Sequence, residues 1–593
     1  MMQSSLPWRL GSSLLAVGLA LSGIAHSRDP VQVRLIGIND LHGNLEASNL
    51  TLFLADPGAP PDAPQLRVQV GGAAALAGMV KKLRAGAPNS FMLAGGDLIG
   101  AAPLVSTLFK HESTIEILND IGLEVSSLGN HEFDAGEKEL QRIIRGGCAP
   151  TVPESAVVSC VQSRYQGVRF KYIAANVIDG KGRPIVAPYV VKRFDGIPVG
   201  FIGGVTKTTP QMVMPSGVKG LRFLDEADTV NRAARQLRAN GVKTIVAVFH
   251  EGIELGTPQK RGDWNDVTCP QAYGPLLDIA RRLAPEIKVI FSGHTHQGYR
   301  CEIEGRLLIQ GTSFGRGISV VDVELDPATG TMLPQMRSIN LPVLNESTDP
   351  VHRERLAASL PEAYAAVLRD AEPDAAIAEK VARYSTLAQP KAERPVGRIA
   401  GGFSRGGMVD SAAGRLIADA QLAATRENGA QVAFMNPGGI RSNIECAMPP
   451  CIVTFGQVFT MQPFGNSLVV MTLTGERLKA LLESQQRSQP DERTVLQPSE
   501  GFTYAWQSDA PPGERVRDMR LFGEPVRADA SYRVTVNSFL AEGGDGFALL
   551  KDGTDRQGGG QDLDALIAYL AAGERAPVPS PRITRLPSAE IRQ

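Results

Sequence analysis

The sequence predicts an α/β protein made of two large domains. Three observations carry that expectation. Five apolar runs each end on an Asp, His or Asn, as buried strands do when they deliver chemistry to the loops at the edge of an α/β sheet. Segments with helical spacing alternate with those runs. At 593 residues the chain exceeds what one hydrophobic core can organise, and its pattern changes near Asn340.

Composition narrows the class. Hydrophobic residues make up 43% and charged residues 21%, which describes a globular chain. Lys and Arg number 61 against 62 Asp and Glu, so no global field recruits a nucleic-acid polymer or an acidic membrane surface. Residues 1–27 combine a polar start ending at Arg9 with the apolar run Leu10 to Ala25 and small residues suited to cleavage. They read as a signal peptide, because the apolar part is shorter than the ~20 residues a bilayer requires and is broken by Gly and Ser. The mature protein is expected to be periplasmic or secreted, with no membrane anchor after cleavage. All six cysteines follow the signal, in the local pairs Cys148 with Cys160, Cys269 with Cys301 and Cys446 with Cys451. Three disulfides suit an oxidising compartment, although six cysteines allow 15 pairings.

In chain order, Val31 to Ile38 reads as a buried strand that leads into Asp40-Leu-His42. Alternate residues leaving a strand face one side, so a carboxylate and an imidazole can meet one cation. Residues 55–64 read as a surface loop, and Gly71 to Arg84 as a helix with basic residues at its end. Phe91 to Asp97 is a strand ending on a carboxylate, where Gly95 and Gly96 let the backbone approach what Asp97 binds. One helix is expected over Ser106 to Ile121, followed by a strand into Gly129-Asn130-His131-Glu132-Phe133-Asp134. Strands are predicted at Phe170 to Ala175 and Val199 to Val205, with a helix over Glu226 to Asn240. Thr244 to His250 and Val289 to His294-Thr-His296 complete the five runs.

Five of the eight histidines sit in these strand-end motifs. Carboxylates, imidazoles and an amide carbonyl without thiolates suit Zn, Mn, Co or Fe. Seven ligand-type residues exceed one tetrahedral ion, so two divalent metal ions sharing a carboxylate are expected.

These residues resemble the calcineurin-like metallophosphoesterases and, within them, the exported 5'-nucleotidase family. The motifs are Asp40-Leu-His42, Gly95-Gly-Asp97, Gly129-Asn-His-Glu-Phe-Asp134, His250 and Gly293-His-Thr-His296. The resemblance implies a metallophosphoesterase β-sandwich flanked by helices (αββα) over residues 28–340. Ser347 to Arg383, rich in Ala and Glu with helical spacing, and Gln389 to Pro395, which reads as an extended linker, form a helical bridge and linker over 341–395, and the resemblance implies a separate C-terminal α/β 5'-nucleotidase domain over 396–593. Asp40, His42 and His296 would hold one metal, Asn130, His250 and His294 the other, and Asp97 would bridge them. His131, paired with Asp134, would be the catalytic histidine. His296 stands where some relatives carry Gln.

In the C-terminal part, Gly414 to Ala420 reads as a helix, and the strand Val432 to Met435 runs into Asn436-Pro-Gly-Gly-Ile-Arg441. Two further turns place Phe464 and Phe539 beside glycines, and two rings from separate loops can sandwich a flat base. By the resemblance Phe464 and Phe539 stack the base, Asp545 holds the ribose hydroxyls, and Asn436 and Arg441 contact sugar or phosphate. Arg405 is a further candidate for substrate contact.

The implied activity is release of phosphate from nucleoside 5'-monophosphates by direct attack of metal-bound water, with UDP-sugars and nucleoside di- or triphosphates as additional substrates. The alternatives are a 2',3'-cyclic-nucleotide phosphodiesterase with 3'-nucleotidase activity and a non-catalytic nucleotide-binding protein. Asp134, rather than Asn, in the His-Glu-Phe motif resembles the 5'-nucleotidases.

Overall fold

The computed structural model describes residues 29–47, 50–150, 158–256, 262–406, 409–485 and 495–587. The expected signal peptide lies outside the described residues. Two six-stranded sheets dominate the N-terminal part. The first runs, edge to edge, through Met332–Pro342, Gly317–Leu325, Val31–Ile38, Ser90–Ala94, Val125–Ser127 and Lys171–Ile173. The second runs through Gly298–Ile303, Arg306–Gly311, Ile287–Phe291, Thr244–His250, Ile197–Val205 and Tyr189–Phe194.

Alternation along each strand decides which residues face the partner sheet. Val33 and Leu35 point inward with Phe91, Leu93 and Val125, and they meet Phe201, Val246, Val248, Val289 and Phe291 of the second sheet. The sheets approach so closely at Gly37 that a β-carbon there would lie 2.5 Å from the Phe291 ring. Ile36 and Ile38 point outward, where helices Ala73–Ala85 and Glu112–Ile121 cover them. Helices Glu226–Ala239 and Pro275–Arg282 cover the outer face of the second sheet. The layering is therefore αββα.

Within the first sheet Val31–Ile38, Ser90–Ala94 and Val125–Ser127 run parallel, and within the second Thr244–His250 and Ile287–Phe291 do. Their carboxyl ends converge on one rim of the sandwich, and the five turns that carry the expected ligand residues leave from that rim.

Two local expectations are corrected. The helix expected over Ser106 to Ile121 is two helices, Leu104–Thr107 and Glu112–Ile121. Lys110 and His111 between them adopt left-handed backbone with φ of 53° and 63°, which ends one helix and re-aims the next. The extended linker at Gln389 is instead the end of helix Ala375–Ala392, with Pro390 inside it. Pro390 has no N–H to offer the Thr386 carbonyl one turn back, and the helix stops two residues later, at Ala392.

The C-terminal part holds a five-stranded sheet of Gln497–Pro498, Val432–Met435, Ser531–Asn537, Ser467–Thr474 and Thr554–Gln561. Its own core contains Val432, Phe434, Met471, Val534 and Val536. The core behind the first N-terminal sheet continues through Tyr384 into Leu416, Ile417 and Leu566, so apolar packing spans the length of the molecule. The turn Gly544–Gly546 also packs against helix Thr209–Met212 of the N-terminal part. Disulfides join Cys148 to Cys160, Cys269 to Cys301 and Cys446 to Cys451. Among the described residues no helix is long and apolar enough to cross a membrane.

Candidate active site

Backbone geometry at the rim is costly. Asp40, His42, Asp97, His294 and His296 all have positive φ, between 47° and 74°. Left-handed backbone costs a non-glycine residue roughly 1 kcal/mol or more, and such strain collects at functional sites. Glycines allow the crowding. A β-carbon at Gly96 would sit 2.8 Å from His250 Nδ1, and one at Gly129 would sit 2.1 Å from Asp97 Oδ1.

The side chains form two clusters that share Asp97. His42 Nε2 lies 3.1 Å from His296 Nε2 and 3.6 Å from Asp97 Oδ2, and His296 Nε2 lies 3.4 Å from Asp40 Oδ1. His250 Nε2 lies 3.0 Å from both Asp97 Oδ2 and Asn130 Oδ1, with His294 Nδ1 3.1 Å from Asn130 Oδ1. Asp40, His42 and His296 can meet one ion, and Asp97, His250 and His294 another.

The hydrogen-bond accounting says what belongs between them. His42 Nδ1 is held by the Gly100 carbonyl at 2.9 Å and His250 Nδ1 by the Gly95 carbonyl at 2.8 Å. A carbonyl only accepts, so each Nδ1 carries a proton, and in the neutral ring Nε2 is left as a lone pair turned inward. Those lone pairs face carboxylate oxygens, an amide oxygen and another imidazole. Electron donors facing donors require a cation, and this set fits divalent Zn, Mn, Co or Fe. Burial, the largest influence, holds His42 and His296 below the ordinary imidazole range and His294 at about 3, so all three are unprotonated and ready to ligate. At His250 burial also lowers basicity, but the Asp97 carboxylate outweighs it and raises the ring to about 10. A proton held there occupies the position a cation would take.

His131 stands beside the clusters. Its backbone N–H donates to Asp97 Oδ1 at 2.9 Å, and its Nδ1 lies 2.9 and 3.0 Å from the two Asp134 oxygens. Burial pulls the ring down, but Asp134 and Asp97 outweigh it and leave His131 above the usual imidazole range. It is suited to hold or deliver a proton.

Two of the residues expected to bind the nucleotide, Phe464 and Arg441, reach this centre. The Arg441 guanidinium lies 5.9 Å from the centroid of Phe464, and the Phe464 ring is stacked on His131 with centroids 5.9 Å apart. Burial lowers the basicity of Arg441, opposed by the nearby carboxylates of Asp134, Asp97, Asp40 and Asp545. Asn436 Nδ2 donates to Asp545 Oδ2 at 2.7 Å. Phe539 packs on Gly544, where a β-carbon would touch its ring at 2.4 Å, and among the described residues it enters no ring-to-ring contact. Arg405 is exposed and reaches the group indirectly, donating from Nη1 to the Arg441 carbonyl at 2.9 Å.

Sequence reasoning left out several residues. Glu132 is buried and accepts from the backbone N–H groups of Asp97, Leu98 and Gly129 at 3.0, 2.9 and 2.6 Å, which ties two metal-side turns together. Burial, then Asp97, pushes its carboxyl up to about 7. Asn39 donates to Asp40 Oδ2 at 2.6 Å. The Phe314 ring packs edge-on against His42 and His296, with centroids 5.7 and 5.2 Å away. An aromatic flanked by small residues at the end of an apolar run, as in Ser313-Phe314-Gly315, was the available signal.

Comparison with known proteins agrees with this layout. The calcineurin-like phosphoesterase family matches residues 33–298, and the 5'-nucleotidase C-terminal domain family matches residues 395–552. Endonuclease YhcR of Bacillus subtilis is 32% identical over 92% of this chain, and the chain spans only 40% of its length. Cell wall protein Lmo0130 of Listeria monocytogenes is 30% identical over 91% of this chain and is covered over 67% of its own length. The solved 5'-nucleotidase precursor of Thermus thermophilus superposes with a TM-score of 0.72 at 27% identity, covering 94% of this chain and 100% of that one.

Proposed function

The chain belongs to the 5'-nucleotidase family of calcineurin-like metallophosphoesterases, and on that footing we propose that it hydrolyses nucleoside 5'-monophosphates to nucleoside and phosphate. One observation carries the reading. Phe464 of the C-terminal part lies on His131 of the N-terminal rim, with Arg441 next to it, which supports a base and a phosphate being bound in one place.

Asp40, His42 and His296 would hold one divalent ion and Asn130, His250 and His294 the second, with Asp97 between them. Those ions would activate water and neutralise phosphate charge. The chain supplies the rest. Gly100 and Gly95 fix the His42 and His250 tautomers. Asp134 holds His131 so that its other nitrogen can donate to the phosphoryl group or to the departing 5'-oxygen. Arg441 would engage the phosphate or sugar, Asn436 and Asp545 the ribose, and Phe464 with Phe539 the base. Arg405 would support Arg441. We place the mature protein in the periplasm or outside the cell, a reading supported by three disulfides and by similarity to a cell wall protein.

A second reading, phosphodiester cleavage, draws support from the similarity to a protein named as an endonuclease. Assays with Mn2+, Co2+ or Zn2+ that follow phosphate release from 5'-AMP and, by chromatography of the products, cleavage of UDP-glucose, 2',3'-cyclic AMP and single-stranded DNA separate the two. Preference for 5'-AMP supports the proposal, and cleavage of DNA without release of phosphate from 5'-AMP refutes it.

A further inference from the structure

Three chain segments meet beneath the Phe464 and Phe539 turns. Strand Ser467–Thr474 pairs antiparallel with Ser531–Asn537, placing Leu468 opposite Asn537, so the turn before one strand lies beside the helix after the other. On its other side Ser467 pairs with Gln561, and the chain then enters helix Asp562–Ala571. Asn466, Ser538 and Asp562 thus converge at one sheet corner.

Hydrogen bonds close the corner. The Asp562 backbone N–H donates to the Asn466 carbonyl at 2.8 Å, which sets the buried Asp562 carboxylate beside Asn466, whose side chain favours its charged form. The Asn466 amide oxygen accepts from Ser538 Oγ at 3.3 Å, and Ser538 Oγ accepts from the Ser467 backbone N–H at 3.3 Å. Ser538 directly precedes Phe539, and Asn466 lies two residues after Phe464. Asp562 is only 2% exposed, and its carboxylate also accepts from the partly buried Leu563 N–H at 2.8 Å, a bond it would lose by swinging away. Burial pushes this carboxyl up to about 7.

We propose that Asp562 is a positioning residue that sets the spacing of the two aromatic turns through the Asn466 amide and Ser538, and so tunes affinity for the nucleoside part of the substrate. This rests on the 5'-nucleotidase reading. Asp562 touches no substrate. Its carboxylate orients Asn466, Asn466 registers Ser538, and the separation of Phe464 from Phe539 follows.

The test compares 5'-AMP with p-nitrophenyl phosphate, which offers a phosphate ester without a nucleoside, using the full chain loaded with Mn2+. Asp562→Asn keeps the shape and an acceptor for Leu563 but places an amide donor against the Asn466 amide. It is expected to raise KM for 5'-AMP about tenfold, with kcat within about twofold and p-nitrophenyl phosphate turnover unchanged. Combined with Asn466→Ala, it should add little, because both changes break one chain of contacts. Unchanged KM for 5'-AMP, or equal losses on both substrates, overturns the inference while the 5'-nucleotidase reading stands. Turnover of p-nitrophenyl phosphate with no turnover of any 5'-nucleotide by the parent overturns that reading, and this inference with it.

Discussion

The Phe464 ring lies nearly parallel to the His131 imidazole, with centroids 5.9 Å and planes 19° apart, although the two residues belong to opposite halves of the chain. One ring leaves the turn before a C-terminal strand and the other leaves a metal-side turn, so their contact marks where the two halves of the site join. A base would take the face of Phe464 as its platform. Stacking on an aromatic side chain contributes about 1–3 kcal/mol per base. Phe464→Ala is therefore expected to raise KM for 5'-AMP by roughly tenfold or more while leaving p-nitrophenyl phosphate turnover near that of the parent, as steady-state kinetics on both substrates will read.

His131→Ala removes the proposed proton donor and none of the proposed metal ligands. Turnover of 5'-AMP should fall by about 10²–10⁴ with metal content preserved. Asp134→Asn should act more mildly and through pH. Because the Asp134 carboxylate helps keep His131 protonated, its loss lowers the pKa of the ring. The alkaline limb of the kcat profile, where His131 loses its proton, should then move to lower pH. An unmoved limb would remove His131 from the role of acid.

Asn130 presents its amide oxygen to both His250 and His294. Asn130→Ala should weaken the binding of one metal equivalent, seen by elemental analysis after dialysis, whereas His131→Ala should not. Chelation should also lower the melting temperature, since ions that bind only the folded chain stabilise it and would offset the strain of five left-handed ligand residues. Recovery of both melting temperature and turnover on adding Mn2+ is the expected reversal.

Acid sensitivity should have a source away from the metals. Burial, aided by Arg142 and Lys110, holds His111 at about 4 against its ordinary 6.5. Between those values the unfolded chain binds more protons than the folded one, so stability falls as pH drops from 6.5 towards 4, by up to about 3 kcal/mol. His111→Asn should flatten that slope, because Asn tolerates the φ of 63° and can still pair with Ser106. Denaturant titrations at about pH 7 and about pH 4.5 measure it, and identical slopes in parent and variant would exclude His111 as the source.

What the sequence made legible was local. Val31–Ile38, Thr244–His250 and Val432–Met435 have the bounds their apolar runs suggest, since a buried strand is written in consecutive residues. The strand-end motifs were equally legible, because ligand chemistry restricts residue type. Contacts between distant segments left no such mark. Glu132 reads as one more charged residue until Asp97 and Leu98 N–H groups are found on it, and Phe314 reads as core until His42 and His296 stand against it. The break at Lys110 and His111 escaped because left-handed backbone is uncommon for any residue with a side chain and leaves no pattern in consecutive residues; tertiary packing imposes it.

The most direct test of the central claim is phosphate release from 5'-AMP by the Mn2+-loaded chain, with 3'-AMP measured in parallel. The joined site predicts release from 5'-AMP with a kcat/KM at least about tenfold above that for 3'-AMP, since a tenfold preference needs only about 1.4 kcal/mol of differential contact. No release from 5'-AMP, or equal release from both, would contradict it.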